Sequence, residues 1–274
     1  MSSSKSSRRR FLKTFGTGAL LFGTGAVLSR TLSADPAKIA ARIENAEGTH
    51  PLMPAIEKAY ASLQKLDEVK DYTATFTKQE KIGRSLVKAQ MELKLREEPF
   101  SVYLKFISPS AGREVLFVEG KNKNMLYAHD VGFRGLAGTL SLDPEGSMAM
   151  DGNRHPATMI GMRKMVTEAA EQWLNEMKYS EAKVNVFSNS RIGKTACTVV
   201  ESSYARQLAG VKFQMTRLYI DNESGLPIRI QQYDFPGRRE SEASLAEDYL
   251  YGNLRTNVGL KDADFDVKNR SYNF

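Results

Sequence analysis

The stretch Tyr72–Ile82, "YTATFTKQEKI", decides the fold, because its polarity alternates from one residue to the next. Tyr72, Ala74 and Phe76 are separated by threonines. Successive side chains of a β-strand point to opposite faces, so this period of two predicts a strand with one apolar and one polar face. Strands with one solvent-exposed face are typical of antiparallel sheets. The turn signal at Ile82-Gly83-Arg84 predicts the first hairpin.

The alternation continues along most of the chain. "AQMELKLRE" and "FSVYLKFIS" follow the first strand, and later segments carry the same signal between turn-like residues. These later strands are predicted at Val115–Glu119, Met125–His129, Lys183–Phe187, Thr195–Ser202, Val211–Asp221, Pro227–Asp234 and Ala246–Leu254. Spacings of three and four predict helical segments within Asp35–Val69 and Thr158–Met177. The pattern therefore predicts an α+β fold in which helices cover the concave face of a curved antiparallel sheet, an open half-barrel of about ten strands.

The first three strands are predicted to give the sheet an apolar inner face. Alternation assigns eight side chains to it: Tyr72, Phe76, Met91, Leu93, Leu95, Val102, Leu104 and Phe106. Burying each of them contributes roughly 1.5–3 kcal/mol, so something must cover them. Either the helices fill the hollow completely, or an apolar ligand shares it.

Methionines accumulate beside this hollow. Five of the ten that follow Met1 lie between Met148 and Met165. Methionine is flexible and polarizable, so a methionine surface can repack around apolar guests. Met148 and Met150 fall in a glycine-rich excursion from Gly132 to Pro156, whereas Met159 and Met162 fall at the following helix. We interpret these four as an adjustable flap, although helical spacing alone also fits an ordinary helix core.

The N-terminus has the three parts of an export signal. "SRRRFLK" precedes an uncharged run from Thr14 to Leu28, which small residues follow. Arg8 and Arg9 fit the twin-arginine consensus, whose export machinery would be a transient partner. We therefore expect residues 1–34 to be a twin-arginine signal peptide and residues 35–274 to be one exported domain of the periplasm or cell envelope.

The charge balance argues against nucleic acid. The whole chain carries a net charge of +7. Residues 1–34 hold six basic side chains and no acidic one, and without them 33 basic side chains face 32 acidic ones. A chain so nearly neutral has no general attraction to phosphate backbones.

No sequence motif indicates catalysis, a metal or a cofactor. The histidines His50, His129 and His155 are far apart, and none has a partner at the i+4 spacing of a helical metal site. Gly193-Lys194-Thr195 precedes a strand rather than a helix, so it predicts a hairpin turn and not a phosphate loop. We therefore expect a protein that is not an enzyme. If the fold brought His129 or His155 together with carboxylates in a pocket, an enzyme would be favoured instead.

The acidic residues of the glycine-rich excursion could form a calcium-binding loop or a solvated loop. Hard cations take oxygen ligands from flexible loops, and the glycine-rich excursion supplies several. The candidate ligands are Asp143, Glu145, Asp151 and Asn153. Their spacing fits no calcium-binding loop, and a solvated loop is expected.

Several longer segments together resemble an exported bacterial domain family of unknown function, DUF1571. They are "YTATFTKQEKIG", "EPFSVYLKF", "AGREVLFVEG", "SLDPEGSMAMDGNRHP", "GLPIRIQQYDFP" and "YLYGNLRTNVGLKDADF". More distantly, the layout is similar to the LolA and LolB type of periplasmic lipoprotein carriers. That resemblance implies an open β half-barrel with a helical lid that holds acyl chains inside.

Two hypotheses of different classes follow. The first is a non-enzymatic envelope protein that binds acyl chains of a lipid or lipoprotein in the half-barrel. The second is an envelope sensor or scaffold that engages a protein partner through the sheet and the cationic turn at Arg238-Arg239. Lipid that co-purifies with the protein is expected only under the first.

Overall fold

A computed structural model describes residues 36–45, 48–237 and 241–274 of the chain. The predicted signal residues Arg8 and Arg9 and the turn residues Arg238 and Arg239 lie outside these ranges. The helices are α1 (Pro36–Glu44), α2 (Met53–Leu66), α3 (Ser147–Met150) and α4 (Met162–Glu176). The strands are β1 (Asp71–Ile82), β2 (Ser85–Arg96), β3 (Ser101–Ser108), β4 (Glu114–Val118), β5 (Leu126–His129), β6 (Thr139–Leu142), β7 (Lys183–Ile192), β8 (Thr195–Ser203), β9 (Met215–Asp221), β10 (Pro227–Asp234) and β11 (Ser244–Thr256).

All eleven strands form one open, curved antiparallel sheet, which confirms the predicted fold class. Its order is β6-β5-β4-β3-β2-β1-β11-β10-β9-β8-β7. Two meanders, β1 to β6 and β7 to β11, therefore meet where the first strand pairs with the last. Each meander joins neighbours in sequence, which is the simplest connection for antiparallel strands.

The register of the first strands arranges the inner face in cross-strand rows. Tyr72 lies opposite Leu95, which lies opposite Val102. Two positions along, Ala74, Leu93 and Leu104 form the second row. Phe76, Met91 and Phe106 form the third row. The alternation in the sequence thus produces three parallel rows of apolar side chains on one face of the sheet.

The helices α2 and α4 pack on this face and share one apolar core with the strands. The fully buried Trp173 of α4 donates its Nε1–H to Ser202 Oγ of β8 at 2.8 Å. The buried faces of the two helices recur at intervals of three and four residues, as an amphipathic helix requires. They comprise Met53, Ala55, Ile56, Ala59, Ser62, Leu63 and Leu66 of α2 and Met162, Met165, Val166, Thr167, Ala169, Ala170, Trp173, Leu174 and Glu176 of α4.

Two tyrosines of the sheet fix the start of α4. The first backbone N–H groups of a helix lack partners within the helix. Here the N–H of Gly161 donates to the hydroxyl of Tyr251 at 2.9 Å, and that of Met162 donates to the hydroxyl of Tyr72 at 3.0 Å. Gly161 has φ 138°, and a Cβ at this residue would lie 3.2 Å from Leu95 Cδ1. Glycine thus permits both the turn and the close approach to the sheet.

The structure corrects several predicted boundaries. The Gly132 to Pro156 excursion contains strand β6 and helix α3, so the sheet has eleven strands rather than about ten. β7 continues beyond its predicted end at Phe187 to Ile192, because an irregularity between Phe187 and Ser190 absorbs the change of register. The hairpin turn lies instead at Gly193-Lys194, as the glycine-lysine pair predicts, with φ 58° at Gly193.

The helical predictions were too long. The segment Asp35–Val69 contains two helices, α1 and α2, and α4 begins at Met162 rather than at about Thr158, after a short 3₁₀ turn at Ala157–Met159. The backbone conformation of Gly161 separates that turn from α4. Within the described ranges, every helix falls short of the length and hydrophobicity that crossing a membrane demands.

Candidate functional site

A cavity of about 950 Å³ lies between the inner face of the sheet and the segments that cross it. Ligand pockets are typically roughly 300–1,000 Å³, so this volume is that of a binding site. Strands β1 to β6 supply nine apolar side chains of its wall, and α4 supplies Met165 and Ala169. The hollow is therefore filled by helices in one half and open in the other.

Four of the eight side chains predicted to line the hollow do line this cavity. They are Phe76, Met91, Leu104 and Phe106. The other four are Tyr72, Leu93, Leu95 and Val102, which are buried in the core that the sheet shares with α2 and α4. Position along the strands explains the first and third rows, whereas the second row is divided between Leu93 in the core and Leu104 in the cavity wall. The first cross-strand row lies under the start of α4, whereas the third row lies beyond it.

The four methionines of the predicted flap occupy different surroundings. Met148 of α3 lines the cavity and is 66% exposed, and Met159 lines it as well. Met150 is half-buried in α3. Met162 is fully buried at the start of α4 and belongs to the helix core. The methionine-rich stretch therefore combines cavity wall and ordinary core.

One end of the cavity is polar, and side chains of β1, β11 and the segment before α4 form it. We call this group the polar cluster. It consists of Lys78, Glu80, Asn153, Arg154, His155, Glu247 and Tyr249. β1 and β11 pair here, with Lys78 opposite Tyr249 and Glu80 opposite Glu247. The pairing brings side chains together that are more than 150 positions apart in the sequence.

Glu80 accepts three hydrogen bonds in this cluster. Its Oε2 accepts from Lys78 Nζ at 2.8 Å and from the backbone N–H of Arg154 at 3.2 Å, and its Oε1 accepts from the Tyr249 hydroxyl at 2.6 Å. Lys78 also donates to Asn153 Oδ1. Burial and the neighbouring charges of Glu247 and Glu80 raise the pKa of Tyr249 far above its ordinary value. The phenol therefore stays protonated and remains a donor to Glu80.

Glu247 binds the other side of the same segment. Its Oε2 accepts from Arg154 Nε at 2.8 Å and lies 3.0 Å from His155 Nε2. Burial alone would raise the pKa of this carboxyl. The hydrogen bond with His155 and the positive charges of His155, Lys212 and Arg154 outweigh burial and lower that pKa below its ordinary value. The carboxylate therefore stays ionised.

The polar cluster can do two things chemically. It fastens the segment before α4 to β1 and β11, because Arg154 bonds to both Glu80 and Glu247. It also places His155 against the carboxylate of Glu247 in a cavity, and such a pair can act as a general acid and base in an enzyme. No group of three or more His, Cys, Asp or Glu side chains in the described ranges is arranged to hold a metal ion, and this includes the acidic residues weighed as calcium ligands.

The sequence prediction missed the polar cluster, although part of the signal was present. The predicted apolar face of β1 ends at Phe76. Two further steps of the same period reach Lys78 and Glu80, which are 8% and 2% exposed. Charged residues at inward positions of a strand indicate a buried ion pair or a polar site. The partners His155 and Glu247 carried no such signal, because only the folded chain brings them together.

Comparisons with known proteins place the chain in a family and give its sheet distant counterparts. The family model described as "Protein of unknown function (DUF1571)" matches residues 69–274. None of the curated proteins matches the chain significantly in sequence.

Three solved structures illustrate the structural likeness. A LolA superfamily protein from Nitrosomonas europaea is 11% identical with a TM-score of 0.30, and the match covers 76% of this chain and 97% of that one. The lipoprotein LppX from Mycobacterium tuberculosis is 12% identical with a TM-score of 0.44, over 78% and 99%. MucB in the Pseudomonas aeruginosa MucA/MucB complex is 13% identical with a TM-score of 0.44, over 78% and 60%.

Proposed function

We propose that this chain, which belongs to the DUF1571 family of proteins of unknown function, binds the acyl chain of a lipid or lipoprotein in its half-barrel cavity, as a carrier or chaperone of the cell envelope. The observation that carries the proposal is the cavity itself. It is about 950 Å³ in volume, and apolar side chains of β1 to β6, among them Phe76, Met91 and Phe106, form part of its wall. An apolar ligand that enters this space would leave water for an apolar environment, and this transfer is favourable.

The composition of the wall supports an amphiphile rather than a purely apolar guest. Phe76, Met91 and Phe106 form one continuous apolar row. Lys78 and Glu80 continue the inner face of the same strand and line the same cavity. An acyl chain would lie along the apolar row, and a polar headgroup would lie towards the polar cluster.

Mass spectrometry of the full chain tests the proposal. The protein is purified from a bacterial host, bound lipid is extracted, and binding of the fluorescent fatty acid cis-parinaric acid is titrated. Ala128 of β5 lines the cavity, so Ala128→Trp should fill it and reduce probe affinity by at least about tenfold. Ala205 is exposed and lies outside the cavity, so Ala205→Trp is the matched control. Equal binding by both variants would end the proposal.

The same experiment separates binding from catalysis. The proposal requires that the extracted lipid keeps its original mass after incubation with the protein. Conversion to a hydrolysed product that His155→Ala abolishes would support an enzyme instead, with the histidine and Glu247 as acid–base groups.

A second candidate function, binding of an envelope protein partner, is favoured by one end of the sheet. β7 is the terminal strand there, and Val186 and Phe187 on it are 43% and 46% exposed. Exposed terminal strands accept an added strand from another chain. Lysine at both positions should abolish such an interaction and leave cis-parinaric acid binding unchanged. Co-elution of the full chain with its partner on size-exclusion chromatography measures the loss.

A further inference from the structure

Exposed hydrophobic side chains are concentrated at the mouth of the cavity. The described residues contain nine large hydrophobic side chains that are exposed, and four of them line the cavity. These four are Phe133, Leu136, Leu140 and Met148, which we call the apolar rim. Phe133 and Leu136 are 90% and 80% exposed. Single exposed hydrophobic residues are ordinary, but a group at a cavity mouth indicates an interaction surface.

Glycines turn this part of the chain outward. The segment Gly132–Ala137 forms a 3₁₀ turn between β5 and β6. Gly132 and Gly138, on either side of its centre, have φ 63° and 72°, a conformation that side-chain-bearing residues rarely adopt. A Cβ at Gly135 would lie 2.7 Å from the backbone oxygen of Asp130, so the turn is folded closely on its own base. The backbone thus fixes Phe133 and Leu136 in an exposed position.

The charge of the segment favours a lipid surface as the occupant. Between Asp130 and Asp143 the sequence contains no acidic residue. Repulsion from anionic headgroups is therefore small there. Phenylalanine and leucine on a compact turn are the side chains that enter the boundary between headgroups and acyl chains.

Continuity with the cavity favours the same occupant. Phe133 and Leu136 are both exposed to solvent and part of the cavity wall. An acyl chain that leaves a bilayer at the rim would enter a cavity whose wall also contains Leu126, Leu142 and Phe106. A protein partner bound at the rim would need no such connection.

We infer that the apolar rim inserts into the interfacial layer of a lipid bilayer and joins the cavity mouth to the membrane. This inference rests on the proposed binding of acyl chains. It adds the source from which the ligand is taken, or the surface to which it is delivered.

Site-specific labelling of the full chain tests the insertion. Leu136→Cys and Phe187→Cys place an environment-sensitive nitrobenzoxadiazole probe on the rim and on β7, two exposed apolar positions of which only the first lines the cavity. Cys197 is fully buried and should stay unlabelled, which the unmodified chain verifies. Vesicles of phosphatidylcholine and phosphatidylglycerol with brominated acyl chains serve as quencher. The probe at 136 should shift to the blue and lose most of its emission, whereas the probe at 187 should change little.

Equal quenching at both positions would overturn the inference, because binding would then come from elsewhere in the chain. Absence of quenching at both would overturn it as well. A shift at 136 with a soluble envelope protein fraction but not with vesicles would replace the bilayer by a protein partner.

A double variant separates this inference from the proposed function. Because Phe133 and Leu136 also line the cavity, the affinity of Phe133→Ser with Leu136→Ser for monomeric cis-parinaric acid is measured alongside, and uptake of the probe from vesicles should slow at least about tenfold more than that affinity falls. If the unmodified chain binds no monomeric probe, the proposed function fails. If it binds the monomer and the serine variant takes up vesicle probe at the unmodified rate, only the rim inference fails.

Discussion

His155 Nε2 and Glu247 Oε2 lie 3.0 Å apart, although 92 positions separate the two residues in the sequence. The contact connects the segment before α4 to the last strand of the sheet. Because Arg154 binds the same carboxylate oxygen at 2.8 Å, two consecutive residues are fastened at one point. Charged contacts therefore hold the segment that crosses the cavity, in addition to the apolar packing of Ala157 and Ile160 against the core.

His155→Ala should loosen this segment. The substitution removes one of the two partners of a buried carboxylate, and loss of a partner from a buried ionic group costs more than loss at the surface. Amide hydrogen exchange of residues 151–155 should become at least about tenfold faster, since local opening needs about 1.4 kcal/mol less. His129→Ala is the control, because His129 lines the same cavity without binding Glu247. Equal exchange in both variants would contradict the fastening role.

Glu176 should make stability fall as the pH rises. Burial raises the pKa of this carboxyl to about 7 from its ordinary 4.5, despite the hydrogen bond that Tyr204 donates at 3.0 Å. The folded state therefore favours the protonated form. Its contribution is complete below the unfolded pKa of 4.5 and is lost as the pH rises through the folded pKa of about 7.

Chemical denaturation of Glu176→Gln across the pH range checks this sign. As the pH rises from 4.5 to about 7, the unmodified chain should lose up to about 3 kcal/mol more unfolding free energy than the glutamine variant. Glu168→Gln, at an exposed position of the same helix, should follow the unmodified chain. Parallel pH profiles for the unmodified and Glu176→Gln chains would mean that the carboxyl titrates normally.

Aspartate at Met148 should weaken binding of an apolar probe. Met148 lines the cavity mouth, and an ionised carboxylate there must be desolvated when a ligand enters. Met148→Asp, alone or with Met150→Asp, should reduce the affinity for cis-parinaric acid by at least about tenfold without changing the circular dichroism spectrum. Leu86→Asp is the matched control, because Leu86 is also an exposed apolar residue but lies on β2 outside the cavity. A similar loss in the control would show a general effect of added charge.

The hydroxyl of Tyr72 should stabilise the start of α4. Burial raises the pKa of this phenol well above its ordinary value, so it remains neutral while it accepts the hydrogen bond from Met162. Tyr72→Phe leaves that N–H without its partner and should cost about 1–3 kcal/mol of unfolding free energy. Tyr127→Phe on β5 should cost less than about 0.5 kcal/mol, a typical surface value. Equal costs in urea denaturation would argue against the capping role.

The period of two in the sequence was sufficient to predict the sheet, because half-buried antiparallel strands must alternate. It was also sufficient to place Tyr72, Leu93 and Leu104 on the inner face. It does not specify how far the helices extend along the strands. That depends on tertiary contacts, such as the two tyrosine hydroxyls that set the start of α4. The limit of the cavity therefore became visible only in the structure, as did the partners of Lys78 and Glu80.

Two leucines of the same face test where that limit lies. Leu95 is fully buried next to Gly161 at the start of α4, whereas Leu104 lines the cavity. Leu95→Ala should open a void inside the packed half and cost about 2–5 kcal/mol of unfolding free energy, with the affinity for cis-parinaric acid unchanged within about twofold. Leu104→Ala should instead enlarge the existing cavity and change that affinity several-fold. Because the residue type and the sheet face are the same, opposite outcomes for the two variants would mean that the ligand lies under the helices rather than beyond them.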